Sequence, residues 1–388
     1  MSTSVRIFLG GCLLVLLVVI STTWLFGRAN QSSIVPTLVE SPHSVPPQSR
    51  ALPAQVQSVP VYYVGRQDGK LHREFRNLAA SGKTELCAIV DARPERVEAA
   101  RKAYPSVPRI GTDARAVLDD PAVEAVSLAI QTEPSFEMAK AILNAGKHLF
   151  IEKPIAENAE KAEILAELAL KTGRVLHIDH LMLFHPIIRR IKDLYDSGEL
   201  GKLIYVDVSR MNLGPIRKDV NAMLDLAVHD LAVIDFISGG EIPYHVEAIG
   251  ETHYGKQETL TYLTLKYPTF LAHVKSSWIS PIKERRTIFG CEKKMVIFDD
   301  MKTVDKLTIY DQGIVETGEE YGAYEYKART GDITIPYVAQ QDALRNSIEH
   351  FAECVGAGRE SIANAAQGVK IARILDEARR KLDATRAS

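Results

Sequence analysis

Cysteine is scarce: Cys12, Cys87, Cys291 and Cys354 are the only four in 388 residues, far apart, with no CxxC pair and no Cys/His cluster. That spacing excludes a disulfide framework and a zinc site, and it reads as buried thiols in a reducing compartment. An excess of charge of one sign is missing as well, with 47 Lys+Arg against 49 Asp+Glu and a net charge of −2. With no basic surplus and no acidic tail, nucleic acid is not an expected partner. Aromatics make up only 7%, but 46% hydrophobic and 25% charged residues are ordinary for a globular chain. A wholly disordered chain, a collagen-like repeat and a many-pass membrane protein are excluded. Internal repeats and heptad runs are absent too. At ~100–200 residues per domain, the length predicts two domains.

Long apolar runs are confined to one place. Ile7–Phe26 (IFLGGCLLVLLVVISTTWLF) carries no charge over twenty residues. As a helix rising ~1.5 Å per residue it would span the hydrocarbon core of a bilayer. The run exceeds the usual apolar stretch of a signal peptide and offers no clear small-x-small cleavage site. An uncleaved single-pass anchor over residues 1–26 is the expectation, with a signal peptide or an artefactual upstream start as alternatives. Arg6 and Arg28 flank the run and leave its orientation undecided. Residues 27–60 hold six of the 18 prolines and only Arg28, Glu40 and Arg50 as charges, which predicts a disordered tether.

From Val61 onward, strand-like runs alternate with helical ones. Val61–Val64, Glu85–Val90, Ala125–Ile130, His148–Ile151 and Val175–Ile178 read as strands, with helices between them from Pro94, over Pro134–Asn144 and over Ala159–Leu170. Such alternation predicts a doubly wound parallel sheet, a Rossmann domain over 61–178. Residues 179–388 read differently, as a second α/β domain. Helices are expected over Pro186–Tyr195, Asp225–Ile237, Gln341–Val355 and Ala365–Leu382. Strands from Leu203 to Tyr310 are expected to form a largely antiparallel sheet with one open face.

Three places carry candidate chemistry. Val64-Gly65-Arg66-Gln67-Asp68-Gly69-Lys70 stands at the first strand–helix turn, where a dinucleotide fold brings backbone to a pyrophosphate. The full GxGxxG is not there, and Gly65 and Gly69 also suit an ordinary turn. Asp91 follows the next strand, 26 residues after Gly65. A carboxylate there accepts hydrogen bonds from a ribose diol and repels a 2′-phosphate, which favours NAD over NADP. Its alternative role is to cap the helix that starts at Pro94.

The second place is Glu152-Lys153-Pro154, at the carboxyl end of a strand, where α/β sheets bind ligands. A lone Lys-Pro is otherwise a solvated turn. The third is Asp225-Leu-Ala-Val-His229, two polar groups on one face of an apolar helix. The competing reading is a histidine satisfied by its neighbours. His177, Asp179, His180 and His185 look like a cluster, but alternate strand residues face opposite ways, and no metal is expected there.

With these residues in view, the chain from about Val61 to Leu382 resembles the Gfo/Idh/MocA oxidoreductases. The resemblance rests on AGKHLFIEKPI (145–155), DSGELGKL (196–203), RMNLGPIRKDVNAMLDLAVHD (210–230) and IEHFAECVGAGRE from Ile348. Residues 212–230 are most similar to members acting on nucleotide-activated sugars. The resemblance implies a Rossmann domain plus an α/β domain whose open sheet carries a substrate pocket or a homo-oligomer interface. It implies NAD as cofactor, with Gly65, Gly69, Asp91, Gln131, Glu152 and Lys153 around it. Lys153, Asp225 and His229 would form the acid/base group, and Asn212, Arg217 and Asn221 would grip a sugar or its phosphates. Departures fall on the cofactor side, where the glycine loop is degraded and Ala129-Ile130-Gln131 replaces Ala-Thr-Pro; in the other domain, Leu224 stands where the family has a tryptophan before the catalytic aspartate.

The expectation is therefore a membrane-anchored, NAD-dependent oxidoreductase for a secondary hydroxyl of a sugar or nucleotide sugar. NAD supply places its catalytic part in the cytoplasm. The alternative is a degraded relative serving as a binding or scaffolding module at the membrane.

Overall fold

The computed structural model describes residues 83–130, 132–218, 220–316 and 326–386. The expected anchor Ile7–Phe26, the tether 27–60, the strand Val61–Val64, the loop bearing Gly65 and Gly69, and Gln131 lie outside the described residues.

The first half alternates as its sequence predicts: β1 (Ala88–Val90), α1 (Pro94–Ala103), β2 (Arg109–Gly111), α2 (Ala114–Leu118), β3 (Ala125–Leu128), α3 (Thr132–Asn144), β4 (His148–Ile151), α4 (Ala159–Thr172) and β5 (Leu176–Ile178). β1 and β2 pair in parallel, and β3, β4 and β5 form a second parallel ladder. β1, β3 and β5 are buried at every position, as strands covered on both faces must be. Local chemistry sets the helix limits. Asn158 caps α4 by accepting from Lys161 N at 2.9 Å, and Gly173 ends it at φ 63°, a left-handed turn that glycine takes without strain. β2, exposed at Arg109 and half-buried at Ile110 and Gly111, carries no apolar run by which sequence could announce it.

After β5 come a 3₁₀ turn (Leu181–Phe184), α5 (Pro186–Asp196), β6 (Leu203–Leu213) and α6 (Ala222–Ile237). They are followed by β7 (His245–Glu251), β8 (Leu260–Lys266), β9 (Leu271–Ser277), β10 (Ile279–Cys291), β11 (Met295–Asp299) and β12 (Leu307–Tyr310). Then β13 (Gly313–Glu316), β14 (Tyr326–Arg329), β15 (Ile333–Thr334), α7 (Ala343–Ala357) and α8 (Ala365–Arg386) complete the described chain. The eight-stranded sheet runs β15-β12-β11-β10-β6-β9-β8-β7.

This sheet is mixed: six of its seven pairings are antiparallel, and the one at its centre departs from the expected pattern. At its centre β6 and β9 run parallel, Tyr205 opposite Leu271 through Met211 opposite Ser277. The reason is topological: β6 is followed by the α6 crossover, not by a hairpin, and β9 returns beside it. α5, α6 and α8 cover one face, packing Ile188, Ile191, Leu231, Ile234 and Leu375 against Val206, Val208, Val274 and Phe289. The other face is uncovered and shows Ile249 and Leu271, 60% and 43% exposed.

The membrane expectation is corrected as well. Among the described residues, no helix is long and apolar enough to cross a bilayer. α8 has 22 residues but carries Lys370, Arg373, Asp376, Glu377, Arg379 and Arg380, while the apolar α6 has only 16. An N-terminal transmembrane helix is thus no part of the fold described, and neither the single-pass membrane placement nor the cytoplasmic one is carried forward.

α7 crosses back. Leu344, Ile348 and Phe351 sit in the core of the first half, and Phe351 meets Phe150 of β4 edge-on at 5.6 Å. The three described cysteines, Cys87, Cys291 and Cys354, are buried free thiols.

Candidate active site

The ladder of β4 continues past its last residue: Glu152 N donates to Leu128 O at 3.0 Å and Asp179 N to Ile151 O at 2.8 Å. Lys153 therefore emerges at the carboxyl ends of the parallel strands, and its bond to Pro154 is cis. From the second half, α6 starts three residues before the expected Asp225, because Asn221 caps it by accepting from Leu224 N at 2.9 Å.

These two starting points meet. Lys153 Nζ donates to Asp225 O at 3.1 Å and lies 3.8 Å from Asp225 Oδ1. Arg217, on the loop from β6 to α6, donates to the same Oδ1 at 3.0 Å. Two cations thus meet at one carboxylate. The Lys153 and Asp225 side chains are 15% and 18% exposed, so the group sits in a partly dry cleft where charge acts more strongly than in water.

His229 lies one turn beyond Asp225 on the same helix face and is half-buried. Its neighbour Asp230 points elsewhere: Arg210 of β6 holds both its oxygens, Nε at 3.0 and 2.9 Å and Nη2 at 2.6 Å from Oδ1. Asn212, at the end of β6, is half-buried. Asn221 is 4% exposed, and its amide donates to Glu258 Oε2 at 2.8 Å. Both of its polar ends are engaged inside the protein at the start of α6. The sequence also hid the partner of Arg217, expected on a ligand and found on Asp225.

On the cofactor side, Asp91 follows β1 and is fully buried. Its Oδ1 accepts from Arg93 N at 2.8 Å, and Arg96 Nη1 lies 4.0 Å from Oδ2. The cap position of α1 falls to Arg93, whose side chain makes no capping bond. A dinucleotide needs an acceptor for its ribose hydroxyls and a donor near its nicotinamide end. The buried carboxylate after β1 and the lysine after β4 supply those two chemistries, so the residues present fit NAD.

The sequence cluster at 177–185 disperses. His177 is fully buried between Ser361 Oγ (2.8 Å) and Ser347 Oγ (2.9 Å) and stacks on Phe150 at 4.7 Å. Ser347 also donates to Asp179 at 3.4 Å, while His185 caps α5 by accepting from Ile187 N at 3.2 Å.

Parallel strands that bring an acidic and a basic group to their carboxyl ends, roofed by a polar face of α6, define a dinucleotide-dependent oxidoreductase. Comparison with known proteins makes this specific. The model of the oxidoreductase family with an NAD-binding Rossmann fold matches residues 63–180, and that of the GFO/IDH/MocA C-terminal domain matches 188–297. The chain belongs to the Gfo/Idh/MocA family, these two matches together covering more than half of it. It is an NAD-dependent oxidoreductase acting on CH–OH groups.

Among its relatives, UDP-N-acetylglucosamine 3-dehydrogenase of Acidithiobacillus ferrooxidans is 25% identical over 296 residues, 74% of this chain and 87% of that protein. Myo-inositol 2-dehydrogenase of Thermotoga maritima is 24% identical over 262 residues, 65% of this chain and 76% of that one. The solved aldose-aldose oxidoreductase of Caulobacter crescentus shares the fold at a TM-score of 0.70 and 20% identity, covering 84% of this chain and 98% of its own.

Proposed function

We propose that the protein oxidises a secondary hydroxyl of a sugar or nucleotide sugar, with Lys153, Asp225 and His229 as its acid/base group. The observation that carries this reading is the contact of Lys153 with Asp225, 72 positions apart in sequence and contributed by the two halves that meet near residue 178. NAD+, when bound, supplies the hydride acceptor. His229 takes the hydroxyl proton, as a neutral imidazole can near pH 7. Lys153 stabilises the oxygen as negative charge develops on it, and Asp225 holds Lys153 and Arg217 against the helix. Arg217 and Asn212 face substrate, while Asn221 supports the start of α6. Glu152 and Asp91 belong to the cofactor side, together with Gly65, Gly69 and Gln131. The scaffold alternative requires none of this, and the intact Lys153–Asp225–Arg217 arrangement speaks against it.

Purified protein incubated with NAD+ and a panel of UDP-sugars, free aldoses and inositols tests the reading. NADH formation with at least one is expected, and none with any of them would reject it. A cofactor prediction goes with it: by calorimetry NAD+ binds more tightly than NADP+, because Asp91 pairs with a diol and repels a phosphate. Equal or tighter NADP+ binding removes Asp91 from that role. We further propose that two copies pair through the uncovered sheet face that shows Ile249 and Leu271, checked by light scattering of the purified chain.

A further inference from the structure

β4 and β5 pair in parallel with Ile151 opposite Ile178. Lys153 and His180 each stand two residues further on, so they leave adjacent strand ends at the same level. His180 is 1% exposed, and among the described residues neither Nδ1 nor Nε2 has a hydrogen-bond partner. Buried polar groups in native proteins are nearly always paired, and leaving one unpaired costs free energy. Two such atoms in one ring, next to a catalytic cleft, call for a partner in another arrangement of the site.

The ring's chemistry limits the choice. Burial, and then the charge of Lys153, push its pKa down to about 3, so at neutral pH it carries one N–H and one bare nitrogen. That bare nitrogen wants a donor. The ammonium of Lys153 has three, of which one goes to Asp225 O. Other charged or titratable groups about this pair include Asp225, with Arg217 behind it, Glu152 and the buried Asp179 next to them in sequence, and His177, which Ser347 and Ser361 already hold.

We propose that His180 is a positioning residue for Lys153: its neutral imidazole accepts a hydrogen bond from Lys153 Nζ and draws the ammonium from Asp225 toward the carboxyl ends of β4 and β5. The inference deepens the functional reading above, on which it rests for the catalytic role of Lys153. An ammonium tied only to α6 follows that helix, whereas one tied also to His180 stays with the strands that carry the cofactor. Reacting groups held this way lose little orientational freedom before reaction.

Long-range proton–nitrogen NMR of the histidine rings tests it without a substrate, in the free protein and in protein saturated with NAD+. In at least one of these two states, the bare nitrogen of His180 is expected to shift by several parts per million between wild type and Lys153→Met. Lys153→Arg, which keeps a donor, should restore much of the shift. Identical His180 resonances in wild type and Lys153→Met, in both states, overturn the proposal. So does a ring that titrates near pH 6.5, because its nitrogen would then be taken by a proton. Failure of NAD+ to bind would appear separately, by calorimetry, and would count against the functional reading, while the free protein still decides the role of His180. In turnover, His180→Gln should stay within about threefold of wild type and His180→Phe should fall about tenfold or more, with equal melting temperatures. Equal turnover of the two overturns the proposal.

Discussion

His229→Ala is expected to lower turnover by about 10²–10⁴-fold, the usual contribution of a general base, while its affinity for NAD+ stays at the wild-type value. The separation follows from placement. His229 stands on α6 in the second half, one turn from Asp225, whereas Asp91 and Glu152 belong to the first half. The helix itself survives the change, because alanine is the best helix former and the site is only half-buried. Lys153→Ala behaves differently: it removes a side chain that stands at the end of β4 and contacts Asp225 of the second half, so turnover and NAD+ affinity fall together. Steady-state kinetics alongside calorimetry distinguish the two variants. A His229→Ala enzyme with more than about a tenth of wild-type turnover would remove this histidine from the role of base.

Asp230→Ala, one position along, should act on stability. A residue advances about 100° around an α-helix, which turns Asp230 from the cleft toward β6 and Arg210. The pair is nearly dry, its side chains 3% and 12% exposed, and removing the carboxylate takes from a buried guanidinium its hydrogen-bonded partner and leaves it the charge of Asp300. Breaking a buried pair on one side costs about 3–5 kcal/mol, which lowers Tm by roughly 5–15 °C in a domain of this size. Replacing both partners, as in Arg210→Met with Asp230→Leu, should recover most of the loss, since two apolar groups of similar volume need no compensation. Melting curves of the single and double variants decide the matter. A single variant that melts within about 2 °C of wild type would mean that water already reaches Arg210.

What could be read ahead of the structure was local. The strand–helix rhythm of the first half, the lysine after β4 and the Asp225–His229 pair all lie within short stretches whose periodicity shows which residues share a face. Polar elements were harder. β10 is legible only over Arg286–Phe289 but spans Ile279–Cys291, since Lys283, Glu284 and Arg285 interrupt its apolar alternation. The β13–β14 pair is exposed nearly throughout and has no buried face to announce it. Some partners stayed hidden: Arg217 reaches Asp225 from a loop eight positions before it, and His177 is satisfied by two serines more than 160 positions away. The parallel pairing of β6 with β9 depended on where the chain goes after α6, which no single stretch encodes.

The return of α7 to the first core also shapes how the protein is made. Leu344, Ile348 and Phe351 fill the side of that core which β4 and β5 leave open, yet they are translated long after β5 has left the ribosome. At ~5–20 residues per second the interval is on the order of 10 s, and throughout it Phe150 and its neighbours lack their cover. The nascent first half therefore offers an apolar surface to holdase chaperones, and it closes only when the last two helices arrive. A ribosome stalled between β15 and α7 would carry a second half with its sheet strands complete and a first half still unsealed.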